Sequence, residues 1–481
     1  MTEAAGAVRE WRIALAGELL EGVPQTIACP YDGAAVTRVH VATPWHLEQA
    51  IAAATRATAA TRALPAHQRA SILRTIAQRI AETAESFATI IALEAAKPIR
   101  QARIEVQRSI ATFTAAADEA TRSADEALRL DAAAGGEGRD GIVRRFPIGP
   151  IAAITPFNFP LNLVAHKVAP AIAAGCPFIV KPASQTPGAA LALAQLIAET
   201  AWPREACSVL PLPARDAAPL IEDPRLRLVS FTGSPAVGWA IKARAGRKKV
   251  VLELGGNAGC IIHDDADLAF AAARCAVGGF SHAGQSCISV QRIFVARSVY
   301  AAFLDALLPR VAALRVGHPL DEQADLSALI DHREAARVAA WFAEARAAGA
   351  RFPVGGTVAG GCVAPTVITD AAPGLAVNCA EVFAPVVTVQ PYDDFGAALA
   401  QVNDSDFGLQ AGVFTNDLRR AWRAFQTLDV GGVIVNDVPT WRVDPMPYGG
   451  VKASGFGREG LRYAIESMTE PRLLVLNLAE G

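Results

Sequence analysis

The 481-residue chain is 52% hydrophobic, enough to fill two or three cores, and two large domains are the default expectation. Its 45 Lys and Arg are scattered and nearly balanced by 47 Asp and Glu, which leaves no electrostatic footprint for a nucleic acid or an anionic membrane and points to a small-molecule ligand. Eight cysteines, widely spaced and without a C-x-x-C pair, read as reduced thiols of a cytosolic protein, and no metal site is expected from them.

In chain order, Met1-Thr2-Glu3-Ala4 shows no basic start followed by an apolar run, so a cytoplasmic location is expected. From Thr43 to about Ala127 the pattern is helical, with Ile72, Leu73, Ile76, Ile80 and Phe87 at three- and four-residue spacings. Residues 131–141 are rich in turn formers and bounded by Ile142-Val-Arg-Arg-Phe146, which predicts a protruding loop or hairpin and a candidate oligomer contact. The most apolar stretch, Pro147 to Val180, is broken by prolines and carries Asn158, Asn162, His166 and Lys167, so it is not read as a membrane span. Instead, short apolar runs at 151–154, 178–180, 226–231 and 250–252 alternate with Ala-rich helical segments at 161–174, 188–200 and 235–245, the signature of a parallel sheet. A second set, with runs at 260–262, 293–295, 385–389 and 432–435, predicts a second α/β domain. The tail Leu473-Leu-Val-Leu476 is a β-like run that would expose an apolar edge, so a homo-oligomer is expected.

Three short segments carry chemistry. Gly284-Gln-Ser-Cys287 places a cysteine after a glycine turn, where backbone N–H groups favour a thiolate; alternatively it is one more buried apolar thiol. Glu253 stands where the apolar run Val251-Leu252 meets Gly255-Gly256, a position whose desolvation raises a carboxyl toward general-base range, or else it is an edge-strand charge. Asn158, between Phe157 and Phe159 in a Pro-bounded turn, offers an amide donor suited to an oxyanion, or simply forms the turn. A lone dinucleotide-like fingerprint, Gly455-Phe-Gly457-Arg-Glu-Gly460, follows Lys452-Ala-Ser454 instead of an apolar strand and is read as a loop.

Seven segments, Pro156-Phe-Asn-Phe-Pro160, Lys181-Pro-Ala-Ser184, Phe231-Thr-Gly-Ser234, Glu253-Leu-Gly-Gly-Asn257, Gly284-Gln-Ser-Cys287, Glu381-Val-Phe-Ala-Pro385 and Met446-Pro-Tyr-Gly-Gly450, occur in one order. In that order the chain resembles the aldehyde dehydrogenases from roughly Thr26 to its end. The resemblance implies two Rossmann-like doubly wound parallel-sheet domains with a small oligomerisation arm. The cofactor domain would take residues 1–122 and 146–255, the catalytic domain 256–455, and the arm and tail 123–145 and 456–481. It further implies NAD(P)-dependent oxidation of an aldehyde to an acid through a thioester on Cys287, with Asn158 and the Cys287 N–H holding the oxyanion and Glu253 activating the hydrolytic water, with or without an earlier proton transfer from Cys287. Lys181, counted with the catalytic set, would reach the adenosine ribose, Gly233 and Ser234 the pyrophosphate, and Glu381 the nicotinamide ribose beside Phe383. Thr155, Pro156, Phe157, Ala183, Ser184, Phe231, Thr232, Val237, Leu254 and Gly255 complete the implied cofactor wall.

Departures from common family patterns bear on specificity. Ser184 replaces a glutamate frequent in NAD-preferring members, which leaves NAD and NADP both open. His282, five residues before the cysteine, packs or tunes Cys287. Asn162, His166, Ser286, Trp441 and Arg442 are expected near the aldehyde, Arg442 either binding a substrate oxygen or forming a structural salt bridge, and Trp441-Arg-Val-Asp444 resembles the branch of lactaldehyde and short semialdehyde dehydrogenases. A short polar aldehyde is therefore expected; against it, Phe157, Phe159 and Trp441 would equally build an aromatic slot. A thiol hydrolase using Cys287 and His282, an inert binding homologue and a CoA-acylating enzyme are the competing readings, and Glu253 favours water as acceptor.

Overall fold

The computed structural model describes residues 8–122 and 125–478, so the outermost residues of the expected domain ranges, with 123 and 124, lie outside the described part. The helical lead-in consists of Pro44–Ala63, Ala66–Glu82, Ala84–Ala95 and Ile99–Thr121. It ends earlier than the spacing predicts. Glu126–Arg129 is a strand, because it can pair with 140–143 of the neighbouring strand, and a ladder satisfies backbone groups that a frayed helix end would leave to water.

The first sheet has eight strands in the order Gly455–Phe456, Lys249–Glu253, Leu228–Thr232, Ile151–Ile154, Phe178–Lys181, Cys207–Val209, Ile13–Leu15 and Glu18–Leu20. Its five central strands run parallel. Helices cover both faces, and for that reason Ile151–Ile154 and Phe178–Lys181 are buried at every position, as the unbroken apolar runs require. Within the parallel part, the chain begins at Ile151–Ile154, winds outward to Cys207–Val209 beside the earlier Ile13–Leu15, then returns to add Leu228–Thr232 and Lys249–Glu253 on the other side. The winding reverses between Ile151–Ile154 and Leu228–Thr232, and a doubly wound sheet opens its ligand crevice at the carboxyl ends of such neighbours. Thr155, Lys181, Thr232 and Glu253 all stand at those ends.

The second sheet orders Arg351–Val354, Thr366–Thr369, Val386–Tyr392, Val290–Ala296, Ala258–Ile262, Gln410–Phe414 and Gly432–Val435, parallel except for its first pair. A separate three-stranded sheet joins Glu126–Arg129, Arg139–Pro147 and Thr469–Asn477. Only Thr469–Asn477 of the expected 456–481 tail takes part in it.

The glycine-rich segment 455–460 is not a plain loop. Gly455 and Phe456 pair antiparallel with Glu253 and Leu252 at the rim of the first sheet, and Leu461–Ser467 is helical against Asn162–Ala174. Backbone groups freed at the edge of Lys249–Glu253 find their partners there, which outweighs the weak strand propensity of glycine.

Candidate active site

A cavity of about 850 Å³ opens at the reversal point. Of the residues expected at the site, all but Ser184, His166 and Trp441 line it. Ser184 is exposed beside the lining residues Ala183 and Gln185. Trp441 is 42% exposed, so the aromatic slot loses one wall, and Phe157 instead packs edge-on against Phe383 with ring centroids 6.0 Å apart. His166 lies behind the wall, fully buried, with Nε2 2.8 Å from Asp444 Oδ1.

Cys287 follows a backbone knot in which His282, Ala283 and Gly284 have φ of 50°, 52° and 70°. Consecutive left-handed residues cost energy and persist only where packing fixes them. Here Gln285 Oε1 accepts from the Ile330 N–H at 2.9 Å, and Gln101 accepts from the His282 N–H at 2.6 Å. Gly256 supplies the second constraint, since a Cβ on it would collide with the Cys287 carbonyl. The expected thiolate-stabilising backbone donors are not what meets the sulfur. The Tyr448 hydroxyl lies 2.9 Å from Sγ, and burial pushes the thiol up to about 12. His282 is no partner for Cys287. Its ring is buried edge-on against Phe159, and burial, with Lys97 nearby, holds it well below the usual imidazole range.

Asn158 is held from both ends. Its Nδ2 donates to the Gln285 carbonyl at 2.8 Å, leaving the second amide hydrogen uncommitted, and its own carbonyl accepts from Lys97 Nζ at 2.6 Å. Lys97 also pairs with Glu105, whose other oxygen accepts from the Leu161 and Asn162 N–H groups at 2.9 and 3.1 Å. Glu253 is buried and neither carboxylate oxygen has a hydrogen-bond partner among the described residues. Burial, then the charge of Glu459, raises its pKa well above the carboxylate range. Lys167 bonds Ser230, Thr232 and Glu459 at 2.8–2.9 Å; burial works against the Glu459 carboxylate, and Lys167, His166 and Arg442 together bring its pKa below the ordinary value.

The other half of the cavity fits a dinucleotide. Ser234 caps the helix Pro235–Arg244 without a side-chain bond, and Ser234, Ala236 and Val237 of this N-terminus line the cavity, where unpaired first-turn N–H groups suit an anion. Among the described residues, buried Lys181 has only the Pro182 carbonyl at 3.3 Å as partner, and burial lowers its pKa. Glu381 accepts from the Gly256 N–H at 2.8 Å, and the missing Cβ of Gly255 is what lets it approach. Burial pushes that carboxyl up to about 7.

Sequence reasoning missed Arg108, Tyr448 and Asp444. Arg108 and Arg442 both line the cavity. Asp444 accepts from Arg108 Nη2 at 2.7 Å and from Asn162 Nδ2 at 3.3 Å, and the Arg442 guanidinium lies 3.6 Å over the Tyr448 ring. Tyr448 stood inside a quoted segment, and Asp444 closes Trp441-Arg-Val-Asp444; Arg108, on the long helix Ile99–Thr121, had no local signal.

A dinucleotide crevice that ends on a thiol, an amide donor and an unpartnered carboxylate defines a thiol-dependent dehydrogenase. The aldehyde dehydrogenase family model matches residues 21–474, and the chain belongs to that family. It is 43% identical over 449 residues to 3-sulfolactaldehyde dehydrogenase of Priestia aryabhattai, covering 93% of this chain and 94% of the relative. Aldehyde dehydrogenase 21 of Physcomitrella patens, solved with the reaction product succinate, superposes with a TM-score of 0.96 at 41% identity over 98% of this chain and 99% of that one. The NADP complex of glyceraldehyde-3-phosphate dehydrogenase from Bacillus halodurans gives 0.95 at 34% identity over 98% and 100%. The protein is an NAD(P)-dependent aldehyde dehydrogenase of the two-sheet α/β fold. Among the described residues no helix is long and apolar enough to cross a membrane.

Proposed function

We propose that the substrate is a short aldehyde with an anionic group a few atoms from the carbonyl, oxidised to its acid with water as acyl acceptor. The observation that carries this reading is the pair Arg108 and Arg442 in the cavity wall, the latter with 5% of its side chain exposed and its Nε without a hydrogen-bond partner among the described residues. A buried guanidinium with a free donor is costly unless a ligand supplies the acceptor. Asn162 and Ser286 add polar lining beside it. The relative named for sulfolactaldehyde and the structure holding succinate both carry an anion near the reacting carbon, which supports the same class.

The residues divide the chemistry. Cys287 Sγ attacks the carbonyl carbon, and the oxygen gains the charge that Asn158 and the Cys287 N–H are placed to receive. The bound dinucleotide supplies the acceptor for the hydride that leaves this carbon. Glu253 then takes a proton from water, which adds to the thioester and releases the acid and the thiolate. The unpartnered oxygens of Glu253 suit a base that meets only water, and this favours hydrolysis over transfer to CoA. A cysteine–histidine hydrolase has no support from geometry, because His282 packs away from the cavity.

Initial rates across sulfolactaldehyde, succinic semialdehyde, lactaldehyde, hexanal and benzaldehyde, each with NAD and NADP, test the reading. The anionic aldehydes are expected to exceed hexanal in kcat/KM by about tenfold or more, roughly 1.4 kcal/mol of transition-state binding. Equal or better hexanal turnover contradicts it. We also infer a homo-oligomer of this chain in the cytoplasm, joined through Thr469–Asn477. That strand has one free edge and exposes Leu473, Leu474, Val475 and Leu476 at 39–56%. Light scattering at micromolar concentration reads it, and a monomer contradicts it.

A further inference from the structure

Tyr448 is the one group among the described residues with a hydrogen bond to the Cys287 sulfur. Its ring is clamped by Arg442, whose guanidinium carbon sits 3.6 Å from the ring centroid, so the hydroxyl has little freedom to leave. Backbone shape adds to the constraint: Tyr448 N–H donates to the Glu459 carbonyl at 3.1 Å and its own carbonyl accepts from the Glu459 N–H at 2.7 Å. In the thiol state either atom can donate. Once the sulfur has lost its proton only the O–H can, and a hydrogen bond to a charged acceptor is about twice as strong as one between neutral groups.

We propose that Tyr448 is a catalytic residue whose hydroxyl stabilises the Cys287 thiolate before attack and keeps its own proton throughout. The thiol proton goes to water in the cavity, and no bond to Tyr448 forms or breaks. Other groups set the background. Glu381 and Glu253 disfavour the thiolate, and Arg442, over the tyrosine ring, favours it. Against burial and two carboxylates, the fixed O–H donor of Tyr448 and the charge of Arg442 are the features that favour the thiolate. Burial and then the neighbouring Cys287 raise the Tyr448 pKa well above the phenol range, so the hydroxyl holds its proton beyond the ordinary phenol range.

The proposal rests on Cys287 as nucleophile, but alkylation reads the thiol itself whether or not it is the nucleophile. The rate of iodoacetamide labelling at Cys287, resolved by peptide mass spectrometry, is measured against pH in the wild type and in Tyr448→Phe. Exposed Cys379 serves as the internal reference. Phe keeps the ring under Arg442. The expected result is a midpoint raised by about one unit, with labelling below the midpoint slowed about tenfold and the single-turnover NAD(P)H burst slowed by a similar factor. Replacement of Tyr448 by 3-fluorotyrosine, a stronger donor, is expected to move the midpoint down. An unmoved midpoint in both proteins, or a change in labelling equal at every pH, overturns the proposal.

Discussion

Two clusters of buried charge flank the Asn158 turn, built from the same residue types and finished differently. In the first, Lys97 donates to Glu105 and to the Asn158 carbonyl, while Glu105 accepts from two backbone N–H groups. Every one of those bonds is internal. In the second, Lys167 is saturated by Ser230, Thr232 and Glu459, yet among the described residues both oxygens of Glu253, one of Glu459 and the Nε of Arg442 have no hydrogen-bond partner. A saturated cluster fixes a shape; one left incomplete at the wall of a cavity marks where water and substrate enter. The first holds the turn that carries Asn158, and the second is the one to which the proposed function assigns the chemistry.

The sharpest way to break this contrast is to unpair the structural cluster. Lys97→Met leaves the Glu105 carboxylate buried without its cation, and is expected to cost about 3–5 kcal/mol in denaturant unfolding. The double variant Lys97→Met/Glu105→Leu is expected to recover most of that loss. A single variant within about 1 kcal/mol of wild type would mean the pair adds little to the fold.

A smaller effect is expected on the substrate side. Asp444 holds Arg108 and His166; burial opposes its charge, but those two partners bring its carboxyl below the ordinary range. Asp444→Asn removes the charge that orients Arg108. It is expected to lower kcat/KM for anionic aldehydes about tenfold while leaving hexanal within about threefold. A uniform loss for every aldehyde would place Asp444 in the fold and not in specificity.

The mildest expectation concerns pH. The folded-state pKa of Glu253 is raised, so the proton is retained to higher pH and the base form gains population only as pH rises through that value. Deacylation should thus rise with pH at values above the ordinary carboxylate range, and a limb near pH 4 would contradict the buried base. For stability the sign is opposite. A raised carboxyl pKa contributes stability that is complete below the unfolded value and is lost as pH climbs through the folded one.

Much of this was legible from local pattern. The runs at 151–154, 178–180 and 250–252 are buried on both faces of the sheet, so they read as unbroken apolar stretches bounded by turns. Asn158, Glu253 and Cys287 were legible because each stands in a short segment of fixed spacing. What escaped depends on distant neighbours. Arg108 and Asp444 meet across 336 positions, and Cys287 and Tyr448 across 161, separations that no periodicity records. His166 was misplaced for a similar reason: helix spacing puts it one turn from Asn162, but only the packed Asp444 decides which of the two reaches the cavity. The strand at Glu126–Arg129 was hidden because its partner, not its own sequence, makes it a strand.

The most direct test of the division between the two clusters is a single-turnover experiment on Glu253→Gln, with mass spectrometry of the Cys287 peptide. The unpartnered carboxylate is held to act only after hydride has left. The account predicts an NAD(P)H burst of about one per site at near wild-type rate, followed by an acyl group that persists on Cys287 and steady-state turnover reduced by about 10²–10⁴-fold. Undiminished steady-state turnover, or a burst that disappears with no acyl adduct, would contradict it.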